Sequence, residues 1–134
     1  MLGEMIGEVR GQQTTTRVLP DEGHGPRMEV TDQASGTLCG VTINQTVTYV
    51  GTMRPNGTLS GGGTGITMST SGGAATFRGV GVGRFVGQGA LSWRGSLFYE
   101  SASDEFAALN GIAVLFEYEI DASGKSEGRL YEWK

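Results

Sequence analysis

Between residues 39 and 49 the chain alternates strictly. Cys39, Val41, Ile43, Gln45, Val47 and Tyr49 hold the odd positions, and Gly40, Thr42, Asn44, Thr46 and Thr48 the even ones. A period of two is the signature of a β-strand, whose successive side chains point to opposite faces. One face is apolar and the other threonine-rich, which suits a strand with one side in the core and one in water. The same period returns later. Leu91, Trp93, Gly95, Leu97 and Tyr99 oppose Ser92, Arg94, Ser96, Phe98 and Glu100. Ile112, Val114, Phe116, Tyr118 and Ile120 oppose Ala113, Leu115, Glu117, Glu119 and Asp121.

Turn residues separate these runs. Arg54-Pro55-Asn56-Gly57 is a tight-hairpin signal, because Asn-Gly tolerates positive φ. Ser71-Gly72-Gly73, Val86-Gly87-Gln88-Gly89 and Ala122-Ser123-Gly124 punctuate the chain in the same way. Strands are therefore predicted over 2–10, 27–31, 39–49, 58–70, 74–84, 91–100, 112–121 and a last one that sets Arg129, Tyr131 and Trp133 against Leu130 and Glu132. Residues 11–26 read as the longest loop. One short helical turn is predicted near 103–110, capped by Ser103, with Asp104 and Glu105 in its first turn and Asn110-Gly111 as its stop.

Eight sequential strands leave an up-and-down barrel or a sandwich. Gly79, Gly81 and Gly83 put three missing side chains on one face of one strand. That weakens a strand, and it makes sense where a sheet must coil to close or where something approaches the backbone. Closure also removes exposed edges. The expectation is all-β: a single closed antiparallel barrel of about eight strands, one domain over 1–134.

Two stretches carry a resemblance. Gly79-Val80-Gly81-Val82-Gly83-Arg84-Phe85-Val86-Gly87 and Phe106-Ala107-Ala108-Leu109-Asn110-Gly111, leading into the strand from Ile112 to Tyr118, resemble the allene-oxide-cyclase-like barrels and, more loosely, the calycin and dirigent-type barrels. The resemblance covers about the last two thirds of the chain and lies in glycine patterns. It implies an eight-stranded barrel with an apolar interior and a tendency to oligomerise. No catalytic residue carries over position by position.

The residue inventory narrows the chemistry. His24 is the only histidine and Cys39 the only cysteine, too few for a usual zinc site, and no EF-hand loop is present; no metal or other cofactor is expected. His24 reads as an exposed loop residue, since no nucleophile elbow accompanies it. Cys39, placed on an apolar strand face, reads as an inert core residue. Gly61-Gly62-Gly63-Thr64-Gly65 lacks the lysine and helix of a phosphate cradle, and Arg84 stands where a dinucleotide fingerprint needs its third glycine. The net charge is −4, with no basic stripe, which argues against nucleic acid. No apolar run reaches the ~20 residues of a spanning helix. The first ten residues do not read as a signal peptide, and with a single cysteine this points to the cytoplasm and to no membrane partner.

The carboxylates Glu100, Glu117, Glu119 and Asp121 outnumber other acid–base candidates, but the last three share the face opposite the apolar one and are expected in water. The aromatic residues are the stronger signal. Trp93, Tyr99, Phe116, Tyr118, Tyr131, Trp133 and Tyr49 all fall on predicted inward faces. Such residues can simply pack a core. They can also hold a small apolar or aromatic ligand, contacting its body and offering a polar tip. Three functional readings result. The first is a binding module for a small apolar or aromatic molecule inside the barrel. The second is a cofactor-independent isomerase or cyclase, which needs a carboxylate or Arg94 inside the cavity within roughly 3 Å of a tyrosine hydroxyl. The third is a structural homo-oligomer with a filled barrel, its contacts made by outward apolar residues such as Phe98 and Leu115.

Overall fold

The computed structural model describes residues 2–134. Eight strands follow one another: β1 (Leu2–Leu19), β2 (Arg27–Leu38), β3 (Val41–Met53), β4 (Leu59–Ser69), β5 (Ala74–Gly87), β6 (Ala90–Glu100), β7 (Ala113–Ile120) and β8 (Lys125–Trp133). Each pairs antiparallel with the next, and β8 returns to β1, closing the barrel. The expected closed eight-stranded barrel is the observed fold. Among the described residues no helix is long and apolar enough to cross a membrane.

Two boundaries differ from the alternation. Residues 11–26 are not one loop: β1 runs on to Leu19, and β2 runs from Arg27 to Leu38 rather than ending at 31. The register slips between Gln13 and Thr15, a bulge that bends the strand. Beyond it β1 runs past the end of its pairing with β8 and is paired to β2 alone, with Val18 76% exposed. A strand wet on both faces has no reason to alternate, so periodicity is silent there. Within β2 the inward residues are Val30, Asp32, Ala34, Gly36 and Leu38; their mixed polarity hides the period.

Cys39 is likewise not a strand residue. Leu38 pairs with Val41, and Cys39-Gly40 form the two-residue turn with φ of 52° and 77°, the left-handed pair that matches strand twist. Between β3 and β4 the turn spans more residues than a two-residue hairpin. Gly57 donates to the Arg54 carbonyl at 3.0 Å with φ of 86°.

The helical piece is a 3-10 turn, Asp104–Leu109. Ser103 does not cap it: its hydroxyl accepts from the Ala74 amide at 3.0 Å instead. Asn110 bonds both backbone groups of Ser101, closing the loop on itself. The turn thereby drives Phe106 and Leu109 into one end of the barrel, where both are buried among Leu38, Ile43, Phe77, Tyr99 and Val114. Burying a side chain of this size contributes about 1.5–3 kcal/mol. A smaller cluster, Leu59, Trp93 and Ile120, closes the opposite end.

Candidate functional site

Between these two plugs the barrel wall thins. Gly51 pairs with Gly61, Gly61 with Gly81, and Gly81 with Gly95, so one row of glycines crosses four strands. Most of the room they leave is taken by rings. A methyl group on Gly61 would sit 2.7 Å from the Trp93 ring, and one on Gly81 or Gly95 would press on Phe116. Gly65 receives the face of Phe77 in the same way. What the rings leave open is a cavity of about 100 Å³, lined by Tyr49, Trp93, Phe116 and Tyr118 on the aromatic side, by Val9, Val47 and Leu97, and by the carboxylate of Asp32.

Asp32 is the polar centre. It projects inward from β2, is 1% exposed, and accepts a hydrogen bond from the Tyr118 hydroxyl at 2.7 Å. Ser126 on β8 provides a second side-chain hydrogen bond to it. Burial pushes the Asp32 carboxyl above its ordinary range, because a charge is poorly solvated there; the two hydroxyls only partly offset this. Tyr49 stands beside Tyr118, edge-on at 6.1 Å between ring centres, and accepts from the Gln13 amide at 3.2 Å. Desolvation pushes the Tyr49 hydroxyl up to about 12 and that of Tyr118 further. Both phenols therefore stay protonated at neutral pH and act as hydrogen-bond donors. Trp93 meets Tyr49 edge-to-face at 5.7 Å, and its buried indole N–H has no acceptor among the described residues.

The structure brings Tyr49, Trp93, Phe116 and Tyr118 of the expected aromatic set together. Tyr99 also points inward and packs on Phe77 at 5.1 Å; Phe77 lines the cavity and Tyr99 does not. Tyr131 and Trp133 do not join them. In β8 the inward residues are Ser126, Gly128 and Leu130, so the strand has the opposite register to the one expected. The physical reason is space: a methyl group on Gly128 would already lie 2.9 Å from Val9. Tyr131 instead donates to Glu117 on the outer surface at 3.2 Å, and Trp133 is 49% exposed.

The outward acids behave as the alternation implies. Glu117 holds Arg129 at 3.0 Å, and Glu119 holds Arg94 at 2.7 Å. The hydrogen bond from Arg129 foremost, and that from Tyr131, keep the Glu117 carboxyl below its ordinary range. Arg94 is thereby committed to the surface and unavailable to the cavity. Cys39 is half-buried, and its thiol is pushed up, first by burial and then by Glu132. It remains a thiol at neutral pH, with little nucleophilic character.

Solved structures share this barrel. A conserved protein of unknown function from Rhodopseudomonas palustris superposes with a TM-score of 0.82 at 11% identity, covering 98% of this chain and 97% of its own. A beta-barrel like protein from Acinetobacter baumannii gives 0.83 at 9% identity, covering 100% and 96%. A protein with unknown function from Clostridium acetobutylicum gives 0.79 at 12% identity, covering 98% of each. No family model and no curated protein sequence matches the chain. At these identities the likeness is one of fold: a small β-barrel matched along nearly its whole length. None of these three is described as an allene-oxide cyclase, so that finer resemblance rests on the glycine patterns alone.

Asp32 was missed by sequence reasoning. It sits in a segment whose inward residues are small or polar, so nothing marks it as interior. The available signal was the faint period from Val30 through Ala34 to Leu38, which places residue 32 on the same face.

Proposed function

We propose that this barrel binds a small, largely apolar molecule of about one ring in its interior. The observation that carries the reading is the cavity of about 100 Å³ left among Tyr49, Trp93, Phe116 and Tyr118. A cavity of roughly 150 Å³ lined by apolar side chains accommodates benzene, so the ligand here has on the order of six non-hydrogen atoms. The rings supply an apolar body, and Asp32 with the two phenols supplies a polar corner. Sites of this kind take most of their affinity from apolar contact and their orientation from a few polar groups. Mass spectrometry of the gently purified protein, native and then denatured, tests the reading. Release of a small molecule on unfolding is expected. A protein that shows none, and takes up no benzene-sized compound on titration, has a merely filled barrel.

One observation favours a second reading, a cofactor-independent isomerase or cyclase acting on a small hydrophobic substrate. Asp32 lies inside the cavity with the Tyr118 hydroxyl 2.7 Å away. A carboxylate whose proton affinity is raised by burial is a stronger base than an exposed one. It would take a proton from one carbon of a bound substrate and return it to another, with no net oxidation. Proton–deuterium exchange into a bound carbon acid, abolished in Asp32→Asn with binding retained, distinguishes this reading from simple binding.

Self-association belongs to the same proposal. Ile66, Met68, Val80, Val82 and Phe98 lie exposed on the outer faces of β4, β5 and β6. Arg78 and Thr64 separate Ile66 and Met68 from Val80 and Val82; exposed large apolar side chains gathered on one side still mark contacts between proteins, and a second copy of the chain is the occupant we assign to it.

A further inference from the structure

We propose that the interior site recognises a small organic ammonium ion, held at the Asp32 carboxylate and faced by the rings of Tyr49, Trp93 and Tyr118. The proposal rests on the cavity reading above and adds the charge of the ligand.

Two independent features point to a cation. The first is the state of Asp32. It is 1% exposed, its partners are the hydroxyls of Tyr118 and Ser126, and none of the ion pairs among the described residues includes it. Hydroxyls solvate a carboxylate without neutralising it. A buried charge lacking a counter-ion opposes folding, so such groups are paired, bind a cation or take up a proton. An apolar filler at residue 32 would pack a barrel better. The acid stands against the open space that the glycine row and the rings leave.

The second feature is the arrangement of the rings. Tyr49 and Trp93 are inclined at 73° and Tyr49 and Tyr118 at 89°, so successive rings stand nearly perpendicular, in a chain that ends at the carboxylate. The electron-rich faces of aromatic rings attract cations within about 6 Å of their centres, and aromatic linings are how proteins hold alkylammonium groups; Tyr49, Trp93 and Tyr118 all line the cavity that Asp32 lines. An ammonium N–H donates to a free lone pair of Asp32, and the alkyl part fills the glycine-walled space beside Phe116. The phenols remain protonated and keep their own hydrogen bonds when the ligand enters. A neutral hydrocarbon would fill the same volume and leave the carboxylate uncompensated.

Isothermal titration of the intact protein with cyclopentylammonium and with its neutral counterpart cyclopentanol tests the proposal. Both have six non-hydrogen atoms and the same ring. The expected result is that the ammonium binds tighter by about tenfold or more, the scale of a desolvated cation–π contact. In Asp32→Asn the preference for the ammonium over cyclopentanol disappears. A wild-type measurement guards against a variant that fails to fold: the ring protons of bound cyclopentylammonium shift upfield and give nuclear Overhauser contacts to the Tyr49 and Tyr118 rings. Cyclopentanol binding as well as or better than the ammonium overturns the charge proposal and leaves the cavity reading standing. Failure of both compounds to bind overturns both. Ammonium binding without contacts to those rings places it on the acidic outer surface and also overturns the proposal.

Discussion

Asp32 carries the sharpest consequence at the level of single residues. Its carboxyl has a higher proton affinity in the folded barrel than in the unfolded chain, because burial penalises the charged form. The folded state therefore binds more protons across the interval between the ordinary value of 3.8 and the raised one. Asp32's contribution to stability falls as pH rises through that interval and stays unfavourable above it. Asp32→Asn is expected to be more stable than the wild type at neutral pH, with the gap closing as pH drops toward 3.8. Urea midpoints measured along a pH series check this, and a gap that widens in acid reverses the sign. The surface acids that titrate the other way are common to both proteins and cancel in the difference. The rings give a second test. Trp93→Ala removes the side chain that lies over Gly51, Gly61 and Gly83, at an expected cost of about 3–5 kcal/mol by chemical denaturation. In the other direction, a methyl group at Gly65 would meet the Phe77 ring from Cζ to Cε within 2.8 Å. Gly65→Ala is expected to cost about 1–3 kcal/mol through overpacking.

Among the elements, β8 tests the placement of the site. Its inward residue Leu130 is buried, while Tyr131 on the next position bonds Glu117 outside. Leu130→Ala is expected to cost about 2–5 kcal/mol. Tyr131→Ala leaves interior ligand affinity unchanged, as read by the same titration. A loss of ligand affinity in Tyr131→Ala would mean that β8 lies one residue out of register, since a single slip exchanges its two faces. The 3-10 turn has a different role. Glu105 receives the Ser69 hydroxyl at 2.6 Å and also that of Ser71, fastening the turn to the β4–β5 hairpin. These hydrogen bonds hold its carboxyl below the ordinary range. The turn is thus a lid tied by polar bonds at its rim and anchored by Phe106 and Leu109 beneath.

For the whole molecule, the barrel is a wall of glycines and rings closed by two apolar plugs, with one uncompensated acid near its middle. Its outer surface divides in two. The β6–β7–β8 side carries the ladder of Arg94, Glu117, Glu119 and Arg129, and the β4–β5–β6 side carries exposed valines, Ile66, Met68 and Phe98. If the apolar side joins two copies, sedimentation gives a mass above that of one chain, and Val80→Lys combined with Val82→Lys returns it to the monomer without loss of the barrel's circular dichroism. A wild type that sediments as a single chain removes self-association from the proposal.

Much of this was legible from residue order alone. The alternation in β3, β6 and β7 named the fold class, because a half-buried strand imposes a period of two on any chain that forms it. Turn glycines located most of the connections. Four of the seven expected aromatic residues, Tyr49, Trp93, Phe116 and Tyr118, line the cavity, because their strands have one wet face and one dry face and so carry a clear signal. Where both faces are wet, as in the far half of β1, or where the inward residues are small, as in β2 and β8, the period fades. Only the closed barrel then decides which side faces in. It turned Tyr131 and Trp133 outward, because Gly128 and Ser126 are what the space beside Val9 and Asp32 admits. It also buried Asp32 against Tyr118, a contact across 86 positions of sequence that no local pattern encodes. Periodicity reports the difference between the two faces of a strand; which residues meet across the interior depends on closure and register, and these belong to the tertiary structure.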